Sequence, residues 1–190
     1  MDEAKLRDAV TVLLEALGED PTREGLGGTP ERVASLFAEL YKGVGIDPVS
    51  VLTEAKPLAE AENRFGELVA LRGISFSSVC EHHLLPFRGT ADVAYQPGDK
   101  LVGLGILADL VEVAAARPQM QERLGDMIAT ALLDSGVARG SVVVIRAEHG
   151  CVTHRGPRLA ESETVTVATA GSLTEPGARR EALQAMGQLD

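Results

Sequence analysis

The stretch ELVALRGISFSSVCEHHLLPFRGTADVAYQP, residues 67–97, decides how this chain folds. Its first part, residues 67–79, and its last part, residues 90–97, have the composition and pattern of strands, and a Pro-Gly-Asp turn comes next. Between the strands, Cys80 and His83 stand in a Cys-x-x-His spacing. The sequence therefore predicts two strands with candidate metal ligands in the turn that joins them.

Helical patterns lie on both sides of this stretch. Apolar residues recur at helical spacing in residues 2–17, and Thr29-Pro30 is typical of an N-cap followed by proline in the first turn. Residues 44–63 predict a loop with a short helical piece. The long helical stretch 106–136 contains Pro118, which predicts two helices or a kink there.

Two further strands and a last helix complete the predicted order. Residues 141–149 and 162–171 are rich in β-branched residues, and the second run alternates as a half-buried strand does. A short, exposed helix is predicted at the C-terminus. Strands in two pairs with helices between them predict an α+β fold, in which helices cover one face of an antiparallel sheet.

Composition and charge narrow the classes of partner. The chain has 190 residues, which fits one compact domain with a short extension. Its net charge is −10 and no cluster of Lys and Arg forms a basic face, so we expect no nucleic-acid partner. No apolar run approaches the length of about 20 residues that spans a bilayer, and the N-terminal residues MDEAKLRDAV lack a hydrophobic targeting stretch. These features predict a cytoplasmic protein with no membrane partner.

The cysteines and histidines are concentrated in two short segments. All four histidines lie within three positions of the only two cysteines, Cys80 and Cys151. A catalytic zinc ion takes three protein ligands, often nitrogen and sulfur, and keeps a fourth position for water, which it makes acidic. Cys80, His83 and Cys151 are the predicted ligands of such a Zn2+ site.

Other roles for these residues remain open from spacing alone. A structural zinc site would close with a fourth ligand, either His149 or His154, and a metal-free role in the core is a further alternative. His82 would point away from His83 and is either a general acid or a hydrogen-bonding neighbour of the metal ligands.

Gln121 and Glu122 are adjacent in the helical stretch, so at most one of them faces the core. A solvated helix face is the usual explanation for such a pair. The alternative is a helix start that abuts a ligand, where the Glu122 carboxylate would accept paired hydrogen bonds from an amidine-like edge such as that of guanine.

The chain resembles GTP cyclohydrolase I. The similarity spans most of residues 18–171, and CEHHLLPF followed by QERL is its most specific part. The matching segments, in order, are GEDPTREGLGGTPERVA (18–34), SFSSVCEHHLLPFRGTADVAYQP (75–97), ARPQMQERL (116–124), EHGCVTHRG (148–156) and SETVTV (162–167).

The resemblance implies the tunnelling fold, in which small antiparallel sheets of several subunits join into a barrel with helices outside. It also implies a homo-oligomer, a toroidal decamer with active sites at subunit interfaces. With it we expect an N-terminal helical region at 1–64, a tunnelling-fold catalytic domain at 65–175 and a C-terminal helical tail at 176–190.

The resemblance further implies a reaction and a set of residue roles. It implies zinc on Cys80, His83 and Cys151, and in the family the zinc-bound water attacks C8 of the guanine imidazole ring. The ring opens, formate leaves, and the ribose carbons close into a dihydropterin. The positions that handle protons match His82 and His149. Those that hold the guanine edge match Gln121 and Glu122, and one triphosphate-binding arginine matches Arg155.

The chain departs from the family where the triphosphate binds. The family pattern there is Gly-Leu-Ser-Lys-x-x-Arg, whereas this chain has GLGILAD at residues 103–109. Gly105 stands for the Ser, Ile106 for the Lys and Asp109 for the Arg. Elsewhere, His154 replaces an apolar family residue and Gly125 a Thr. Loss of two cations beside a highly charged ligand predicts severely weakened triphosphate binding.

These departures favour a purine substrate without a triphosphate, which would be a nucleoside, a monophosphate or an oxidised free base. The second hypothesis is an authentic GTP cyclohydrolase I that makes 7,8-dihydroneopterin triphosphate and formate, with cations from Arg72, Lys100 or Arg158. The third is a non-catalytic zinc-bound oligomeric scaffold.

Overall fold

The computed structural model describes residues 1–57, 68–156 and 158–189. The chain divides into two compact units, Met1–Lys42 and Gly43–Asp190. The predicted boundary after residue 64 lies outside the described residues, so the three-part division stays a prediction. None of the helices in the described ranges has the length and apolarity that a membrane span needs.

The N-terminal unit consists of α1 (Glu3–Ala16) and α2 (Thr29–Leu40). The α1 helix lies over predicted residues 2–17, and Asp2 caps it by accepting a hydrogen bond from the Lys5 amide at 3.0 Å. The Thr29 N-cap prediction is wrong by one residue, since Gly28 is the N-cap of α2. The Thr29 amide is already bonded to the Leu26 carbonyl at 2.8 Å, and this preceding turn brings Thr29 into the helix.

The second unit is built on a five-stranded sheet in the order β5-β2-β3-β6-β7. All neighbouring pairs are antiparallel except β5 and β2, which are parallel. Two short strands, β1 and β4, form a separate pair. The strands are β1 (Lys56–Pro57), β2 (Val69–Cys80), β3 (Pro86–Pro97), β4 (Lys100–Leu101), β5 (Pro118–Gln119), β6 (Ala138–His149) and β7 (Thr164–Gly171).

The helices of this unit are α3 (Leu104–Ala115), α4 (Gln121–Asp134), α5 (Gly150–Thr153) and α6 (Pro176–Ala185), with 3-10 turns at Pro48–Glu54 and Ser172–Thr174. The first of these turns is the short helical piece predicted within residues 44–63, of which 58–63 lie outside the described residues. Pro118 separates two helices as predicted, and the residues around it pair with the end of β2 as strand β5.

Strand β3 begins four residues before its predicted start at residue 90. A tight turn causes this, because the Leu84 amide donates to the Cys80 carbonyl and the Cys80 amide donates to the Leu85 carbonyl, both at 2.9 Å. The β2–β3 ladder therefore resumes at once, with Val79 opposite Pro86. The turn that holds the predicted ligands is short and held on both sides by strand pairing.

Helices α3 and α4 cover one face of the sheet and form the main core with it. The buried residues of α3 and α4 are mostly Leu, Ile, Val and Ala, and they pack against Val93, Val143 and Ile145. At Gly125 the helix and sheet come so close that an added Cβ would lie 3.1 Å from the Ala168 Cβ. A side chain at this position would require Ala168 to shift by a few tenths of an ångström.

The C-terminal helix α6 packs against the opposite face of the sheet. Ala182 and Met186 are buried there against Ala94, Val142 and Val144. The prediction of an exposed C-terminal helix is therefore wrong for this stripe, although the other residues of α6 are mostly exposed. The predicted α+β class with an antiparallel sheet is confirmed.

Candidate metal centre and substrate site

The three predicted metal ligands come together at one end of the sheet. Cys80 is the last residue of β2, His83 lies in the following turn, and Cys151 lies in α5. Their ligand atoms all lie within 4.8 Å of one another, with Cys80 Sγ 3.9 Å from His83 Nδ1. Cys80 is buried, Cys151 is half-buried and His83 is exposed.

Strand β3 brings the two distant cysteines to the same place. It pairs with β2 on one side, where Pro86 lies opposite Val79, and with β6 on the other, where Phe87 lies opposite His149. Cys80 follows Val79, and Cys151 lies two residues after His149. Both cysteines therefore lie at the same end of the strands, one on each side of β3.

The cluster fits a tetrahedral zinc ion in chemistry and spacing. With Zn–S near 2.3 Å and Zn–N near 2.0–2.1 Å, tetrahedral sulfur and nitrogen ligands lie about 3.6 Å apart. Burial raises the pKa of the Cys151 thiol, and the neighbouring Cys80 raises this pKa further. A bound cation would reverse that effect by favouring the thiolate forms.

A fourth protein ligand is missing from the cluster as far as the described residues go. Neither of the two candidates for closing a structural site belongs to the cluster, and each has one ring nitrogen bonded to another side chain. His149 Nε2 lies 2.7 Å from Gln121 Oε1, and His154 Nδ1 lies 2.7 Å from Thr153 Oγ1. The arrangement favours an open, catalytic type of site over a closed structural one.

His82 lies beside the cluster with most of its side chain exposed. Its Nδ1 is 3.9 Å from Cys80 Sγ, and its Nε2 is 3.9 Å from Glu81 Oε1. Cys80 Sγ thus lies equally far from His82 and His83, but only His83 belongs to the mutual cluster with Cys151. The role of His82 as a general acid stays a prediction.

Two residues hold the imidazole of His149, Phe87 at the face of the ring and Gln121 at its Nε2. Its ring stacks on Phe87 with centroids 4.6 Å apart and planes 4° from parallel. Phe87 is itself buried and packs edge-on against Phe76. Burial lowers the pKa of His149, and the Glu122 carboxylate opposes this shift. Sequence reasoning missed Phe87, although it belongs to the quoted CEHHLLPF segment and is one of only four phenylalanines.

Gln121 and Glu122 open helix α4 and point in different directions. Gln121 is 1% exposed and Glu122 is exposed, so the prediction that at most one of them faces the core is confirmed. The solvated-face explanation is wrong for Gln121, whose amide contacts β6 and β7. Sequence reasoning also missed an ion pair between α4 and the turn after β2. In this pair Arg123 donates to both Glu81 carboxylate oxygens, at 2.5 and 3.0 Å.

Comparison with known proteins decides the family. The family model for GTP cyclohydrolase I matches residues 6–187. GTP cyclohydrolase 1 of Leifsonia xyli subsp. xyli is 50% identical over 98% of this chain and 96% of its own length. The chain belongs to the GTP cyclohydrolase I family.

Further relatives agree with this assignment. GTP cyclohydrolase 1 of Rhodopirellula baltica is 48% identical over 96% of this chain and 78% of its own length. That of Streptococcus thermophilus is 48% identical over 92% of this chain and 91% of its own length.

Among solved structures, archaeosine synthase QueF-Like in the apo form is 17% identical, covers 57% of this chain and 98% of its own, and gives a TM-score of 0.46.

Family membership confirms three sequence-based predictions. The fold is the tunnelling fold, the protein is a hydrolase acting on C–N bonds of a cyclic amidine, and the family is that of GTP cyclohydrolase I. The Cys80, His83 and Cys151 group can hold a metal ion, and the family is zinc-dependent in general. The roles of the individual site residues stay predictions.

The first two turns of α3 contain none of the Ser, Lys and Arg side chains of the family pattern. Gly105 is exposed and faces open space, Ile106 is half-buried against the main core, and Asp109 is exposed. Residues 103–109 include no Lys or Arg. Arg155, beyond α5, is exposed and lies near enough to Cys151 to oppose the burial-driven rise of the pKa of that thiol.

Of the three alternative cations, Arg72 lies on the face of the sheet opposite to α3 and α4. Its Nε is 4.0 Å from the Asp92 carboxylate, and its guanidinium packs near Gly187 at the end of the chain. Lys100 is exposed in the short strand β4, and Arg158 is exposed with a left-handed backbone, φ 51°.

Proposed function

We propose that this member of the GTP cyclohydrolase I family hydrolyses the imidazole ring of a guanine-like purine at C8, on a substrate that lacks the triphosphate. The observation that carries the proposal is the start of α3, where Gly105, Ile106 and Asp109 in its first two turns replace a hydroxyl and two cations. A carboxylate at position 109 would repel a triphosphate that the family's arginine attracts.

The metal centre supports the chemical half of the proposal. Cys80, His83 and Cys151 would hold a zinc ion, which when bound supplies Lewis-acid activation of a water nucleophile. His82 and His149 would donate and accept protons as the C8–N bond breaks. The exposed Glu122 carboxylate would accept two hydrogen bonds from the guanine edge.

The substrate determines how far the reaction proceeds after the ring opens. A nucleoside or monophosphate carries the ribose carbons from which a pterin ring can close, after formate leaves. A free base has no ribose, so its reaction would end at ring opening. Product mass therefore reports both the substrate class and the extent of the reaction.

Authentic GTP cyclohydrolase I activity, giving 7,8-dihydroneopterin triphosphate and formate, is the second candidate. It is favoured by the 50% identity with GTP cyclohydrolase 1 of Leifsonia xyli subsp. xyli over nearly the whole chain. In that case the phosphates would need cations such as Arg155, or others from a second subunit.

A substrate panel separates the candidates. Zinc-loaded protein is incubated with GTP, GMP, guanosine, guanine and 8-oxoguanine, and kcat/KM is obtained from absorbance and product mass. We expect the highest kcat/KM for a substrate without triphosphate. Efficient conversion of GTP to a fluorescent pterin would overturn this proposal in favour of the second candidate, and zinc binding without any turnover would favour the scaffold.

We also propose that the protein works as a homo-oligomer, a decamer by its family resemblance. Sedimentation velocity on the zinc-loaded protein checks this, and a monomer with full activity would contradict it. The cytoplasmic location stays a prediction from the sequence.

A further inference from the structure

The side-chain amide of Gln121 is saturated inside the fold. Its Nε2 lies 3.1 Å from the Ile145 carbonyl, 2.9 Å from the Thr164 carbonyl and 3.2 Å from Thr166 Oγ1. Two amide hydrogens meet three acceptors, so neither hydrogen is left for a ligand. The residue that was expected to hold the guanine edge therefore has both donors bound to β6 and β7.

These partners decide which way the amide is turned. Backbone carbonyls only accept hydrogen bonds, so the atom that faces Ile145 and Thr164 must be the nitrogen. The oxygen Oε1 then faces His149, at 2.7 Å from its Nε2. Because an amide oxygen only accepts, His149 Nε2 must carry the hydrogen of this bond.

The rest of the imidazole is held just as tightly. The ring lies flat on Phe87, and the ladder between β3 and β6 places the two residues opposite each other. Among the described residues, His149 Nδ1 has no hydrogen-bond partner. The two ring nitrogens are thus different, one bonded to the fold and one available.

We propose that Gln121 is a positioning residue, which accepts a hydrogen bond from Nε2–H of His149 and thereby fixes the orientation and tautomer of the imidazole that Phe87 supports. This inference rests on the proposed proton-handling role of His149. It assigns the guanine edge to Glu122 alone, since Gln121 lies buried and Glu122 is exposed.

The chemistry of the position requires an amide. A Glu at 121 would turn a second oxygen toward the Ile145 and Thr164 carbonyls and leave buried acceptors without a donor. A Met has a similar length and apolar character, and it removes the acceptor that His149 needs. Gln121→Met therefore separates orientation of the imidazole from filling of the space.

Gln119 provides a matched control. It is also fully buried, and its amide bonds the Ala114 carbonyl at 3.1 Å and the Met120 amide at 3.1 Å, without touching His149. Gln119→Met removes a buried amide of the same kind, two residues away. Both variants are made in the zinc-loaded protein, and zinc content and unfolding are measured for each.

For Gln121→Met we expect kcat to fall about 100-fold, the lower end of what a positioned general acid or base contributes. We expect KM to stay within about twofold, because an interaction made only in the transition state affects kcat. Gln119→Met should change neither constant beyond its effect on folded protein. A raised KM with unchanged kcat would overturn the proposal and return Gln121 to the guanine edge.

Nitrogen-15 NMR of histidine-labelled wild-type protein supplies a test that does not depend on turnover of any purine. The His149 signals, assigned by their loss in His149→Asn, should show a hydrogen on Nε2 and none on Nδ1 in the neutral ring. A hydrogen on Nδ1 instead would refute the inference. If no purine is turned over, the proposed function fails, while this spectrum still decides the role of Gln121.

Discussion

The candidate metal centre groups side chains that can bind a cation, whereas the first two turns of α3 lack the cationic side chains of the family pattern. At the metal centre, two thiols and an imidazole lie within 4.8 Å of one another, beside a histidine fixed by Phe87 and Gln121. In the first two turns of α3, Gly105 has no side chain, Ile106 packs into the core and Asp109 is exposed.

The difference shows which part of such a site can change without cost to the fold. The side chains around His149 also join α4 to β3, β6 and β7, so replacing one leaves a buried group without its partner. Exposed positions 105 and 109 have no such partners within the described ranges, and the apolar contacts of Ile106 stabilise the chain. Substrate binding can therefore diverge in α3 while the reaction centre is retained.

The largest expected effect comes from breaking the metal centre. Cys151→Ala should reduce bound zinc to background and activity by about 10³-fold or more, because the metal supplies several kcal/mol of transition-state stabilisation. Zinc is measured by elemental analysis and activity on the best substrate of the panel.

His154→Ala is the control for that variant, since His154 is exposed and lies outside the cluster. It should retain full zinc. A Cys151→Ala protein with full zinc occupancy would contradict the ligand assignment and remove the contrast between the two regions.

A smaller effect should come from restoring the cations in α3. The double variant Ile106→Lys with Asp109→Arg should lower the KM for GTP about 10-fold, or about 1.4 kcal/mol, which two exposed charge pairs at the upper end of their range supply. Steady-state kinetics at low salt measures it, and the gain should shrink as salt screens the charges.

The matched control changes the net charge equally on the other face of the sheet. Glu181→Arg with Gln184→Lys alters two exposed residues of α6. An equal gain in GTP affinity from this variant would show that the net charge of the protein limits triphosphate binding. The side chains at positions 106 and 109 would then have no specific role in it.

The smallest effect is expected at Gly105. A Cβ there meets no atom of the described residues within 4 Å, so Gly105→Ser should change the free energy of unfolding by less than about 0.5 kcal/mol. Its hydroxyl should improve GTP affinity by about twofold, as one exposed hydrogen bond does. Urea unfolding and kinetics measure both quantities, and a large loss of stability would contradict the open space seen at this position.

At Gly89 the same kind of change should have the opposite outcome. An added Cβ would lie 1.8 Å from the Arg146 backbone oxygen, so Gly89→Ala should prevent normal pairing of β3 with β6. Folding yield and circular dichroism compare it directly with Gly105→Ser.

The grouping of Cys80, His83 and Cys151 could be predicted from the sequence because these residue types are chemically distinctive. Cys80 and His83 share one turn, and Cys151 is the only other cysteine, so residue type and spacing sufficed. Gln121 was a harder case. Its burial depends on carbonyls of Ile145 and Thr164, which are distant in sequence, and a helical pattern does not show which member of an adjacent polar pair faces inward.

The elements of the fold were predicted by the same local rules, with two instructive errors. Strand β3 extends back to Pro86 because ladder hydrogen bonds resume directly after the turn, regardless of the weak strand pattern there. Helix α6 is partly buried because the sheet offers it a second apolar face through Ala94 and Val144.

By itself, the sequence determined the order of the main helices and strands, the likeness to GTP cyclohydrolase I, the three candidate metal ligands and the missing cations of α3. Each of these depends on residue type and short-range spacing, which remain the same however the chain folds. Only the tertiary structure decided that Gln121 faces His149, that Phe87 supports the imidazole and that α6 closes the second face. These contacts join distant segments, and hydrogen-bond donors and acceptors choose partners only when the fold brings them together.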